Sequence, residues 1–421
     1  MNNMMEPKIR FKGFEGEWKT STIGEIAPLS GGYAFQSNHF SSVGIPIVRI
    51  SNILETGIVG GVFAKYAPFD GDADFRLYDG DAVIAMSGAT TGKVAIVHTQ
   101  GFLYQNQRVG KFTKTDRVIY DFLTTIVKSH KFRADLSCLL TSSAQPNASS
   151  KDIDSITQSI PLDKDEQQAI GKYFTSLDSQ ISASTSRLAS LKQMKAASLQ
   201  AMFPQEGETV PKIRFKGFEG EWKKVMFSET FEFLKNNSLS RAELSNEGDI
   251  VNVHYGDVLI KYGDLLNIQK EELTFIADNK IGNTLYNSCH LQNGDIIIAD
   301  AAEDNTVGKC SEIVNICNKR VVSGLHTIPC RPLNRFAQGY LGHYINSESY
   351  HNQLLPLIQG SKISSISKKT LSQTIVLVPS IEEQKCIGNY FTSLDRQISL
   401  QSQRLEKLKQ IKSACLDKMF V

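Results

Sequence analysis

The sequence lacks the features that would place it in a membrane or an oxidising compartment. No stretch approaches the roughly 18 consecutive apolar residues that a membrane span requires. Residues 1–10 carry no apolar core of a secretory leader. The seven cysteines, Cys138, Cys289, Cys310, Cys317, Cys330, Cys386 and Cys415, are odd in number and include no C-x-x-C pair. That argues against a disulfide or zinc framework and for reduced thiols. The expectation is a soluble, cytoplasmic protein. An excess of charge is lacking too: 46 Lys and Arg stand against 44 Asp and Glu, a net charge of +2. So neutral a total neither requires nor excludes a nucleic-acid partner, because a basic surface can be local.

Catalytic signatures are also missing. SGATTGK at 87–93 has the outline of a phosphate loop. However, Gly88 and Gly92 enclose three residues where the motif needs four, and Val94 stands where a Ser or Thr would hold Mg²⁺. It reads as a tight turn with an outward Lys93, and Lys309 occupies the equivalent turn later in the chain. Glu17-Trp18-Lys19 and Glu221-Trp222-Lys223 resemble the end of a nuclease metal site, but upstream of the first there are only Glu6 and Glu15, with no strand between them. They read as lead-in segments whose aromatic rings pack on a domain edge. No glycine-rich cofactor fingerprint and no H-E-x-x-H spacing occurs. The acidic run Asp295, Asp300, Glu303 and Asp304 reads as a solvated loop, with a metal or base-contacting role as the alternative. The chain is expected to hold no catalytic residue and no metal.

What the sequence does contain is itself, twice. PKIRFKGFEGEWK at 7–19 returns unchanged at 211–223. EQQAIGKYFTSL at 166–177 returns as EQKCIGNYFTSL at 383–394, and the likeness runs on to Met202-Phe203 and Met419-Phe420. Between these blocks, segments 20–160 and 224–378 diverge. They share a Gly-Asp turn before an apolar run (Gly80-Asp81, Gly294-Asp295), a Gly-Lys turn (Gly92-Lys93, Gly308-Lys309) and a Ser-rich stretch before a closing strand. One scaffold carries two unlike inserts.

The repeated blocks from 165 to 202 and from 381 onward are helical. Ile170, Phe174, Leu177, Ile181, Leu188 and Leu191 fall at alternating spacings of four and three, and Ile387, Phe391, Leu394, Ile398, Leu405 and Leu408 match them. That is a coiled-coil stripe. Ser184 and Gln401 interrupt it, then Lys195 and Lys412, where Met194/Leu199 and Ile411/Leu416 are expected to take over. At about 1.5 Å per residue such a helix reaches roughly 57 Å and wants a partner. Its own copy, packed antiparallel, is the obvious one; the competing arrangement folds each helix onto its own domain. The inserts read as mixed α/β, with strands near 45–50, 82–86, 94–97, 153–160, 296–299 and 374–378 and helices near 120–136 and 335–355.

The fold expected is therefore α/β (α+β): two globular domains at 1–163 and 211–380, separated by long antiparallel helices at 164–203 and 381–421. These form a coiled-coil spacer with pseudo-two-fold internal symmetry, and a linker lies at 204–210. Polar, donor-rich loops on the inserts are the candidate nucleic-acid contacts, since Gln and Asn can bond adenine bidentately and Arg guanine. In the first insert these are Arg49, Ser51, Asn52, Thr90, Thr91, Lys93, Gln105, Asn106, Gln107, Arg108 and Gln145. In the second they are Tyr255, Lys309, Ser323, His326, Ser361 and Lys362. A solvated loop explains any one of them; the set carries the reading.

With these residues in view, the chain resembles the specificity subunits of type I restriction–modification systems. The resemblance rests on PKIRFKGFEGEW at 7–18 and 211–222, the EQ-x-x-I-G-x-Y-F blocks, and R-L-x-x-L-K-Q at 187–193 and 404–410. SGGYAF at 30–35 and VSGLHTIPCRP at 322–332 add to it. It implies that each insert is a target-recognition domain reading one half of a split, asymmetric site in double-stranded DNA, with helix length setting the gap. It implies two methyltransferase subunits using S-adenosylmethionine, and ATP- and Mg-dependent restriction–translocase subunits, as partners, with no cofactor in this chain. The rival reading is a non-catalytic protein–protein scaffold with two divergent partner-binding domains.

Overall fold

The computed structural model describes residues 7–140, 147–360 and 363–420. It divides the chain into two compact units: residues 1–185 with 403–421, and residues 186–402. Two long helices, α1 (Lys164–Met202) and α2 (Ile381–Lys418), each contribute one half to each unit.

In the first unit, Tyr173 meets Cys415 (3.5 Å) and Asp178 meets Lys412 (2.5 Å). In the second, Lys195 meets Asp395 (2.5 Å) and Ser198 meets Tyr390 (2.8 Å). The residue number falls along one helix as it rises along the other, so the halves in each unit are antiparallel. The expected stripe holds, but its ends serve the globular cores as well. Ile170, Phe174 and Leu177 join one core cluster with Trp18, Phe122, Leu416 and Met419. Ile387 and Phe391 join another with Trp222, Tyr340, Met202 and Phe203. Both arrangements weighed from the sequence are thus partly realised.

The expected takeover of the stripe is half met: Leu416 is buried and Leu199 packs against a core, but Met194 is 50% exposed and Ile411 36% exposed, while Lys195 and Lys412 turn inward. A buried-facing lysine is tolerated because a carboxylate from the other helix meets it.

The repeated lead-in segment explains its own identity. Arg10 grips Glu166 bidentately, Nε and Nη2 each 2.7 Å from one carboxylate oxygen, and Arg214 grips Glu383 in the same way at 2.6 and 2.7 Å. Both carboxylates are almost fully buried. One residue earlier, the Ile9 N–H donates to the Lys418 carbonyl at the end of α2, and the Ile213 N–H donates to the Ala201 carbonyl at the end of α1. These bonds satisfy carbonyls a helix end leaves open. Phe11 then stacks edge-on against Tyr173, and Phe215 against Tyr390. The segment clamps the start of one helix to the end of the other. Its partners are the repeated blocks, so a repeated sequence fits at both places.

Each insert opens and closes on one ribbon. Trp18–Thr22 pairs antiparallel with Thr157–Pro161, and Lys223–Met226 with Ile375–Val378. The buried Trp18 and Trp222 pack edge-on against Phe122 and Tyr340. Inside the first insert, Leu29–Ser30, Val109–Phe112, Ala82–Ala85 and Val94–Ile96 form one antiparallel sheet. A second sheet runs Ala64–Tyr66, Ile45–Val48, Leu103–Gln105 and Arg76–Leu77, with a parallel pair at its centre. The second insert repeats this plan. Phe231–Phe233, Thr327–Pro332, Ile296–Ala299, Cys310–Val314 and Leu265–Asn267 make the larger sheet. In the smaller sheet Ile250–Val253 runs parallel to Arg320–Ser323. The segment read as a strand at 153–160 is instead a short helix, Ser150–Asp154, capped by Ser149, and then the strand Thr157–Pro161. The Ser149–Asp152 capping box stops the strand from starting earlier.

Candidate nucleic-acid interface

In each insert three loops and the end of the Ser-rich stretch meet at one sheet edge, held by the same backbone bonds. In the first insert the Met86 N–H donates to the Arg108 carbonyl (3.0 Å), Ala148 N–H to Met86 O (2.9 Å) and Asn106 N–H to Val48 O (3.1 Å). In the second the Asp300 N–H donates to the His326 carbonyl (3.1 Å), Ile366 N–H to Asp300 O (3.0 Å) and Gly324 N–H to Val253 O (2.8 Å). Position by position, Arg49 corresponds to His254, Met86 to Asp300 and Arg108 to His326. The backbone is one device built twice, and the side chains it presents are different.

The first edge is cationic. Arg108 and Gln107 are exposed, with the Arg108 N–H held by Asn106 Oδ1 at 3.3 Å. Arg49 lies half-buried with its guanidinium 5.9 Å from the Phe40 ring. The turns Ile50–Asn52 and Gly88–Thr90 touch. Arg49 Nε, Ser87 Oγ and Thr90 Oγ1 have no hydrogen-bond partner among the described residues. These three atoms are buried within the edge, where an unpaired polar group carries a desolvation cost. Ser51 is exposed, and Thr91 spends its hydroxyl on Gly88 O (2.6 Å). Lys93 is paired with the exposed Glu55.

The second edge is mixed. His326 is 51% exposed and sits at φ 53°, a left-handed conformation uncommon for a side-chain-bearing residue. Its Nδ1 lies 3.2 Å from Asp300 Oδ1, and the Tyr255 ring stands edge-on to it at 5.2 Å. Burial, with Arg241 and His326 nearby, holds His254 below the usual imidazole range. Burial also pushes the Asp300 carboxyl up, against the pull of His326.

Several expected contacts are committed to the fold instead. Asn52 is buried; its Oδ1 accepts from Arg49 N–H and its amide donates to Gly60 O and Val62 O. Gln105 is fully buried and donates to Ser30 O and Val109 O. Ser323 is buried against Thr327. Lys309 does not point outward: its ammonium donates to Leu259 O (2.8 Å) and Tyr262 O (3.2 Å), and burial lowers its pKa. A lysine that can reach two backbone carbonyls inside the domain has little reason to face solvent. Gln145, Ser361 and Lys362 lie outside the described residues.

The acidic run disperses. Asp295 is buried in a bidentate pair with Arg331, Asp304 accepts from Thr306, and Asp300 faces His326. The sequence reading sets Asp300 in a solvated loop, with a metal or base-contacting role as the alternative. A further cluster was missed. Asp264, His343 and Asp395 bring ligand atoms within 4.8 Å of one another. Lys195 reaches both carboxylates, at 2.7 and 2.5 Å, so a cation already fills the centre. The matching interruption of both stripes by Lys195 and Lys412 was the clue.

A family model described as the type I restriction modification DNA specificity domain matches residues 15–193 and 219–410. A curated relative, the type I restriction enzyme StySPI specificity subunit of Salmonella potsdam, is 30% identical over 81 residues, 19% of this chain. That match spans 18% of the relative's own length. The crystal structure of a type I restriction–modification S subunit from M. genitalium aligns over 99% of both chains at 16% identity, with a TM-score of 0.62, and shares the fold. The HsdS subunit of Thermoanaerobacter tengcongensis aligns over 96% of both chains at 18% identity, with a TM-score of 0.43.

Proposed function

The chain belongs to the type I restriction modification DNA specificity family, and from that premise we propose that it is the sequence-reading subunit of such an enzyme. Each sheet edge reads one half of a bipartite site in double-stranded DNA. The edges differ, so the half-sites differ and the whole site is asymmetric. Helix length sets the gap, as dimer geometry does in other DNA readers. Methyltransferase subunits dock on the repeated parts, two copies matching two repeats, and ATP-dependent restriction subunits join them. S-adenosylmethionine, ATP and Mg²⁺ belong to those partners, and chemistry is theirs rather than this chain's.

One observation carries the reading: the same backbone bonds at both edges support Arg49, Met86 and Arg108 in one copy and His254, Asp300 and His326 in the other. The exposed position changes from Arg108 to His326, and the buried and half-buried residues behind it change too, which suits two readers of different sequences. The test replaces residues 224–378 with the corresponding insert of another specificity subunit and maps methylation by the assembled complex. The reading expects one half-site to change while the other stays. An unchanged DNA motif with a changed protein partner would favour the scaffold instead.

A further inference from the structure

We propose that Asp300 is a specificity-determining residue of the second edge, held in place by His326 and selecting a base that offers an exocyclic amine in the major groove. The inference rests on the DNA-reading function proposed above and assigns one chemical demand to one side chain.

Asp300 is fixed from both sides. Its N–H donates to His326 O and its carbonyl accepts from Ile366 N–H. The left-handed turn at His326 swings the imidazole back over the carboxylate, to 3.2 Å from Oδ1. The Tyr255 ring stands edge-on to that imidazole. Such a conformation is retained where the surroundings over-determine it, and it concentrates at functional positions. The result is a pre-set carboxylate at a rim, its side chain 26% exposed. Among the described residues, Oδ2 receives no hydrogen bond. Burial raises the pKa of this group, and His326 offsets part of that rise.

An ionised carboxylate only accepts hydrogen bonds. In the major groove, adenine N6 and cytosine N4 donate, whereas thymine O4 and guanine O6 accept. Asp300 therefore fits an amine-bearing base and opposes the other two, leaving two acceptors face to face. The corresponding residue of the first edge is Met86, which is buried and presents no acceptor of this kind. The demand belongs to one half-site only.

The experiment uses the full chain assembled with its methyltransferase partners, and single-molecule mapping of methylated sites. Wild type should specify one base pair at a single position of one half-site, with Asp300 facing whichever of its two bases carries the amine, adenine N6 or cytosine N4. Asp300→Asn, which adds a donor, and Asp300→Met, which copies the first edge, should relax or change that position. The expected loss of preference there is about 5- to 150-fold, with the other half-site and the gap intact. Retention of the wild-type preference by both variants would overturn the proposal. So would loss of all methylation by both variants while they still co-purify with the partners, because the residue would then be structural. Failure of wild type to yield any bipartite motif would sink the DNA-reading function itself, a different outcome.

Discussion

Lys195 and Lys412 are the same residue in two copies of one helix, yet their removal should cost different amounts. Lys195 is 20% exposed and meets Asp264 at 2.7 Å and Asp395 at 2.5 Å, carboxylates 15% and 34% exposed. Lys195→Ala leaves the largely buried Asp264 and the part-exposed Asp395 facing each other. Removing one partner of a buried pair costs about 3–5 kcal/mol. Asn346 still donates to Asp264 (2.8 Å) and His343 still bonds Asp395 (2.9 Å), which holds the cost near the lower end, about 3 kcal/mol. Lys412 meets a single carboxylate, Asp178, 36% exposed, and Lys128 remains beside that carboxylate at 3.3 Å. A pair that exposed, with a replacement cation in place, contributes about 0–1 kcal/mol. At about 2–4 °C per kcal/mol for units of this size, calorimetry should show Lys195→Ala lowering its transition by about 6–12 °C. Lys412→Ala should lower its own by about 4 °C at most. Equal shifts, or a Lys195→Ala shift below about 2 °C, would refute the argument that the second unit's acidic cluster depends on this ammonium.

Other consequences follow from the same geometry. Burial raises the pKa of Asp395, but His343 and Lys195 outweigh it and hold the carboxyl below its usual range; burial lowers Lys195, but Asp264 and Asp395 outweigh it and push it up. The stability gap between wild type and Lys195→Ala should therefore be flat near neutrality. It should shrink as pH falls from about 4 through the lowered carboxyl pKa, and again as pH rises above about 10, in urea titrations run across that range. Arg10→Ala and Arg214→Ala should each cost about 3–5 kcal/mol, alike to within about 1 kcal/mol because the two clamps are equivalent; an effect confined to one would deny that equivalence. Lys309→Ala should destabilise the chain and leave the salt dependence of DNA binding unchanged. Arg108→Ala should cost about 1–3 kcal/mol of discrimination at one half-site, measured by competition binding.

Much of the fold was legible because the chain repeats itself. Identical lead-in segments and helical blocks announced two copies of one scaffold, and the strand at 296–299 and the turn at 294–295 lie where their residues imply. The failures share a cause. Lys195 read as a break in an apolar stripe because its partners, Asp264 and Asp395, come from another helix and another loop. Lys309 read as outward because the carbonyls of Leu259 and Tyr262 are about fifty residues away in sequence. Asn52, Gln105 and Ser323 have the donors and acceptors of a DNA contact, and the fold uses them on its own backbone. Asp300 was submerged in an acidic run. Side-chain type shows what a residue can bond; only the fold decides which partner takes it.

Two unlike readers on one chain should impose one split, asymmetric site. The decisive experiment maps methylated bases in DNA treated with the wild-type complex. The expected result is a single motif of two different half-sites separated by a constant number of unspecified base pairs. A continuous motif, a palindromic one, or half-sites separated by variable gaps would contradict it.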